Sequence, residues 1–127
     1  MNIIKFLRNQ IEWSRSVFGS GRRTEGILKH IAKEIEEVRK EPDDLMEWID
    51  IATLALDGAW RAGHNPEAIA AALQEKLEIN KARKWNVPDS ENEAVEHVRT
   101  TPKRQRMNPE QEKEWLKNIQ SGTGRAY

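Results

Sequence analysis

The stretch from His30 to Asp50, HIAKEIEEVRKEPDDLMEWID, restricts the fold more than any other part of the chain. It sets carboxylates three residues apart twice, at Glu34/Glu37 and at Glu47/Asp50. On a helix that spacing brings two Cβ atoms within about 5–6 Å on one surface. Between the pairs lies Pro42-Asp43-Asp44. Pro42 stops the first helix and suits an early position of a second, where Asp43 and Asp44 favour the positive end of the helix dipole. The expectation is an antiparallel helical hairpin with E-x-x-E on one arm and E-x-x-D on the other. Four carboxylates facing one another repel unless a cation neutralises them. Magnesium, which takes oxygen ligands and also binds phosphates, is the natural candidate.

Helical periodicity extends to both sides. Ile3, Ile4, Leu7, Ile11, Trp13 and Val17 predict a first helix over Asn2 to Phe18, broken by Gly19-Ser20-Gly21. Arg22 and Arg23 precede a Thr24 suited to capping the second helix. Arg23 is either a solvated loop arginine or a donor to a substrate phosphate or base edge. The second helix, Thr24 to about Glu41, buries Ile27, Ile31, Ile35 and Val38 in this reading. His30, Glu34 and Glu37 fall beside that stripe, and Glu36 points away into solvent. His30 has two readings, a packed structural histidine or a site residue.

The third helix, about Asp43 to Ala62, is apolar on most sides, as befits the middle of a bundle or a subunit interface. Its acids are therefore informative. Asp57 has a local partner in Arg61, four residues on, whereas Glu47 and Asp50 have no such cation and point to a metal. Gly63 ends this helix, and Asn65-Pro66-Glu67 reads as the start of a fourth, running to about Lys84. Lys76, Asn80 and Arg83 share one side of it, either as exposed helix polarity or as donors to a polyanion.

Past Trp85 apolar residues become sparse. A basic cluster spans Pro102 to Arg106, and Asn108-Pro109-Glu110 starts a short helix through Ile119, held by Trp115, Leu116 and Ile119 against the bundle or a neighbouring subunit, with a disordered extension as the alternative. The expected division is a catalytic helical domain over 1–85 and an extension over 86–127 with one short helix.

Charge and composition exclude several classes. With 21 basic and 21 acidic residues the net charge is +0, so no whole-chain field favours nucleic acid. Cysteine is absent, which removes disulfides, thiolate catalysis and cysteine-ligated zinc together. The N-terminus is interrupted by charge too early for a signal peptide. No apolar run approaches the ~18 residues of a membrane span, and a cytoplasmic protein is expected.

E-x-x-E followed by E-x-x-D on adjacent helices resembles the MazG-type all-α nucleoside triphosphate pyrophosphohydrolases. The phrases EWSRSVFGSGRRTEGILKHIAKEIEEVRKEPDDLMEWID, LALDGAWRAGHNPE and KLEINKARKW are similar to the dATP/dGTP pyrophosphohydrolase subgroup of phages and prophages, which includes the dGTP diphosphohydrolase MazZ. The likeness runs from about Trp13 to Trp85. It implies an all-α bundle whose core is completed by oligomerisation, a tetramer built from dimers. It also implies hydrolysis of dGTP or dATP to the monophosphate and pyrophosphate in phage nucleotide-pool or 2-aminoadenine metabolism, in the host cytoplasm if the chain is phage-encoded. By the same resemblance Glu34, Glu37, Glu47 and Asp50 are ligands of Mg²⁺, for which Mn²⁺ substitutes. Glu34 or Glu37 acts on the attacking water. The resemblance also sets Lys76 at the position of a phosphate-binding lysine, with Asn80 one turn further along the same helix; Arg23 and His30 join them as substrate-binding candidates on their own readings, and Trp13 either lines the base pocket or is simple core. Only nine residues, Val38 to Met46, separate the two motifs, fewer than in many relatives. The competing readings are a house-cleaning pyrophosphatase for other or modified nucleotides, a non-enzymatic helical adaptor using Trp60, Trp85 and Trp115, and a nucleic-acid-binding accessory using Arg22, Arg23, Lys103, Arg104 and Arg106.

Overall fold

The computed structural model describes residues 1–86, 90–98 and 108–120. It contains five helices: α1 (Ile3–Phe18), α2 (Thr24–Lys40), α3 (Leu45–Arg61), α4 (Pro66–Ala82) and α5 (Pro109–Gln120). Among the described residues the sole β feature is an isolated antiparallel bridge between Trp85 and His97, so the chain is all-α. No helix among them is long and apolar enough to cross a membrane. The chain divides into two compact units, Met1–Ala70 and Ala71–Tyr127, with the division inside α4.

In the first unit α3 packs against both α2 and α1. Helix α1 starts at Asn2, whose side-chain oxygen accepts from the amides of Ile4 and Lys5 at 3.0 and 3.2 Å, and it ends at Gly19, whose positive φ of 79° suits glycine. Leu7 of α1, Trp60 of α3 and Ile69 of α4 form the core, with Ile3, Phe6, Ile11, Leu56 and Ala59 packed around them. Each such fully buried side chain is worth about 1.5–3 kcal/mol in removal from water.

Three local expectations are corrected. Thr24 is the first residue of α2, and the cap position belongs to Arg23, which has left-handed φ and ψ of 49° and 26° and makes no side-chain cap. Pro42 stands in the turn outside α3. Asp44 caps that helix by accepting from the amide of Met46 at 2.9 Å, while the Pro42 carbonyl accepts from the Trp48 indole at 2.9 Å. A carboxylate cap satisfies an otherwise unpaired amide at the positive helix end, which a start at proline would leave open. On α2, Ile27 and Val38 are buried but Ile31 is only half-buried and Ile35 is exposed. The apolar stripe of α2 is therefore wider than the face α3 covers.

In the second unit, Ile79 of α4 and Trp115 of α5 are buried. After α4 the chain returns along itself: the Trp85 indole donates to the Asn80 carbonyl at 2.8 Å, and the Asn86 amide to the Glu96 carbonyl at 3.1 Å. Helix α5 opens with a reciprocal cap, Asn108 and Gln111 each accepting from the other's amide at 2.9 Å. Lys103, Arg104 and Arg106 and the side chain of Ile119 lie outside the described residues.

Candidate active site

The capped start of α3 places Glu47 in its first turn and Asp50 in the turn above it, facing Glu34 on α2. One carboxylate oxygen from each of Glu34, Glu47 and Asp50 lies within 4.8 Å of the other two. Glu47 bears the strain of this arrangement. Desolvation, then the negative charges of Asp44, Asp50, Glu37 and Glu34, push its pKa above the ordinary carboxylate range. Glu37 lies outside the three-carboxylate group. It is exposed and its nearest cation is the ammonium of Lys40 at 3.9 Å, although its charge is felt at Glu47. His30 stands one turn before Glu34, and its Nε2 lies 3.2 Å from the carboxylate.

The donor set fits a hard divalent cation. It consists wholly of carboxylate oxygens and gathers their negative charge at one place.

A cavity of about 580 Å³ opens beside these carboxylates, with Glu34 and Asp50 in its wall. Trp13, Arg23 and His30 line the same cavity, so five residues singled out from the sequence share one space. Phe18 lines it too, and sequence spacing missed it because the last residue of a helix carries no periodic signal of its own. Ser14 and Asp57 form the floor, through a buried network centred on Arg61. Asp57 accepts from the Ser14 hydroxyl at 2.6 Å, the Trp60 indole at 2.7 Å and the Arg61 Nε at 3.0 Å. Arg61 continues outward: its Nη1 donates to the carbonyls of Gly19 and Gly21 at 2.8 and 2.7 Å, and its Nη2 to the Ser14 hydroxyl at 2.9 Å. The ion pair expected from spacing thus also fastens the glycine loop between α1 and α2. One signal did point to Ser14, which lies one and two turns beyond Ile11 and Leu7 on the buried face of α1, where an apolar residue is the ordinary choice.

The family model for dATP/dGTP pyrophosphohydrolases matches residues 6–104. The chain belongs to that family. The match takes in all the carboxylates above together with Lys76 and Asn80, and it stops before α5. The Eaa protein of Salmonella phage P22 is 40% identical over 95 residues, which are 75% of this chain and 29% of that protein. The chain therefore spans less than a third of that relative's length. No solved structure matches it. Of the substrate-binding candidates read from the sequence, two lie in the second unit: Lys76 is exposed on α4, and Asn80 is half-buried one turn later with its carbonyl engaged by Trp85.

Proposed function

We propose that the protein is a MazG-like, Mg²⁺-dependent diphosphohydrolase that converts a purine deoxynucleoside triphosphate to the monophosphate and pyrophosphate. The observation that carries this reading is the convergence of Glu34, Glu47 and Asp50 beside a cavity large enough for a nucleotide, in a chain of this family. Glu34, Glu47 and Asp50 would hold the cation, with Glu37 contributing its charge from the edge. Bound there, Mg²⁺ or Mn²⁺ supplies charge neutralisation for phosphate oxygens and acidifies a coordinated water. Glu34 or Glu37 orients the attacking water and accepts its proton, and His30 positions the Glu34 carboxylate. The water oxygen ends on the α-phosphorus, the bond from that phosphorus to the bridging oxygen breaks, and pyrophosphate leaves. Lys76 and Asn80 are proposed, on the resemblance, as donors to the phosphates, a role that would show as a raised KM in Lys76→Ala with an unchanged melting midpoint.

The apolar surface of the first unit supports self-association. Leu45, Met46, Trp48 and Ile49 at the start of α3 are exposed, as are Leu28 and Ile35 on α2. Exposed apolar side chains gathered on the two motif helices are what a symmetric oligomer would cover. A tetramer built from dimers is the proposed state, and light scattering reads its mass directly.

Substrate class is tested by competition among the four dNTPs with Mg²⁺. dGTP and dATP are expected to be cleaved at least about tenfold faster than dCTP and dTTP, because a purine-shaped site leaves a pyrimidine poorly packed and site polar groups unpaired. A pyrimidine preference would reject the purine assignment while leaving the carboxylate chemistry intact.

A further inference from the structure

At the end of the cavity nearest the glycine loop, three side chains lean on one another. Trp13 and Phe18 meet edge to face, ring centroids 6.0 Å apart at 88°, and the Arg23 guanidinium lies over the Phe18 ring, 4.7 Å from its centroid. All three line the cavity, and Trp13 and Phe18 are 60% and 47% exposed, so their aromatic surface faces open space. Arg23 is held there at a conformational cost. It is the one non-glycine residue with positive φ among those described, and in that region Cβ crowds the backbone. Neither a cap nor a carboxylate among the described residues accounts for it, since its side chain makes no capping bond and no ion pair. Strain of this kind persists where a side chain is needed in one place.

We propose that Trp13, Phe18 and Arg23 form the base-binding end of the cavity and that Arg23 is the residue that reads the base. The inference rests on the nucleotide reading above and gives it a polarity. Helix α2 rises about 1.5 Å per residue, which puts the Glu34 backbone about 16 Å along the helix from Arg23. The triphosphate, which needs a counter-cation, lies at the carboxylate end, leaving the base for the aromatic end. Aromatic faces accept any base by stacking, so they do not discriminate by themselves. A guanidinium offers only donors, in a fixed planar fork. Guanine presents two adjacent acceptors, O6 and N7, to such a fork, whereas adenine pairs its N7 with an amino group that is itself a donor. Arg23 therefore favours guanine over adenine.

The test uses Arg23→Gly, which adopts the left-handed conformation without steric cost, beside Arg23→Lys, which keeps the charge and loses the fork. Wild type is expected to prefer dGTP to dATP in kcat/KM by about tenfold or more. Arg23→Gly should bring that ratio to within about threefold, Arg23→Lys, whose ammonium still donates to O6 or N7 but without the fork, should keep part of it, inhibition by tripolyphosphate should be unchanged, and Arg23→Gly should melt at or above the wild-type midpoint. A dGTP-to-dATP ratio preserved in Arg23→Gly overturns the proposal. So does weaker tripolyphosphate inhibition in step with the dGTP KM, which would make Arg23 a phosphate ligand, and so does a lowered Arg23→Gly midpoint, which would make it structural. If wild type cleaves no dNTP, the hydrolase reading fails separately. Calorimetric titration with dGMP and dAMP then decides the base corner, which stands if dGMP binding is lost in Arg23→Gly and falls if it is retained.

Discussion

Asp50→Asn is expected to lower hydrolysis of dGTP by at least about a hundredfold while leaving the metal-free protein as stable as wild type or more so. Groups that merely support a metal ligand are typically worth ten- to a hundredfold, so loss of an anionic ligand should cost at least as much. Asparagine preserves the side-chain size but removes one of the charges that raise the Glu47 pKa. A raised carboxylate pKa means that the folded state is penalised once pH exceeds it, so relief of that repulsion favours the folded protein at neutral pH. Wild type should gain thermal stability as Mg²⁺ is added, because an ion that binds only the folded state shifts the equilibrium toward it, and Asp50→Asn should gain less. Melting both proteins with chelator and with Mg²⁺, beside a pyrophosphate-release assay, checks both parts. An active Asp50→Asn would mean that these acids are an ordinary solvated face.

Arg61→Met should destabilise the fold by about 3–5 kcal/mol, and lower the melting midpoint by about 10 °C or more. The Arg61 side chain is 0% exposed and that of Asp57 is 10% exposed, so the substitution leaves a carboxylate buried without its cation and two loop carbonyls without their donor. Arg61→Lys should recover part of the loss, since an ammonium restores the charge but not a fork that reaches Asp57, Gly19 and Gly21 together. The same network sets an acid limit. Burial pushes the Asp57 pKa up, but hydrogen bonds from Ser14, Trp60 and Arg61 and the Arg61 charge outweigh it, and the net pKa lies below the ordinary 3.8. This stabilisation is therefore complete above about pH 4 and is lost as pH falls through the depressed folded value. In Arg61→Met the pKa should rise, moving acid unfolding to higher pH. A midpoint within 2–3 °C of wild type, by calorimetry, would show that the pair is not holding the loop.

The helices, most of their ends and three of the carboxylates were legible in the sequence, because each depends on residues within one or two turns. Asn65 caps a helix, Gly63 follows one, and Asp57 meets Arg61 at the spacing a helix dictates. Glu37 shows where local spacing runs out. It stands about 60° around α2 from Glu34, near enough to share a face on a helical projection, yet the position of α3 selects Glu34 for the cluster and leaves Glu37 beside Lys40. The links from Arg61 to the glycine loop and from Arg23 to Phe18 involve backbone atoms or residues without periodic pattern, so only the folded chain reveals them. The apolarity of α3 was plain in the sequence. That its first turns are exposed while Trp60 in its last turn is buried follows from packing with Leu7 of α1 and Ile69 of α4, contacts between residues far apart in the chain.

The most direct measurement is identification of the products formed from dGTP with Mg²⁺ and, separately, with excess chelator. The expected result is dGMP and pyrophosphate in equal amounts, formed only when the divalent cation is present. Release of dGDP and phosphate, turnover indifferent to chelator, or no turnover with any dNTP would contradict a cation-dependent diphosphohydrolase built on Glu34, Glu47 and Asp50.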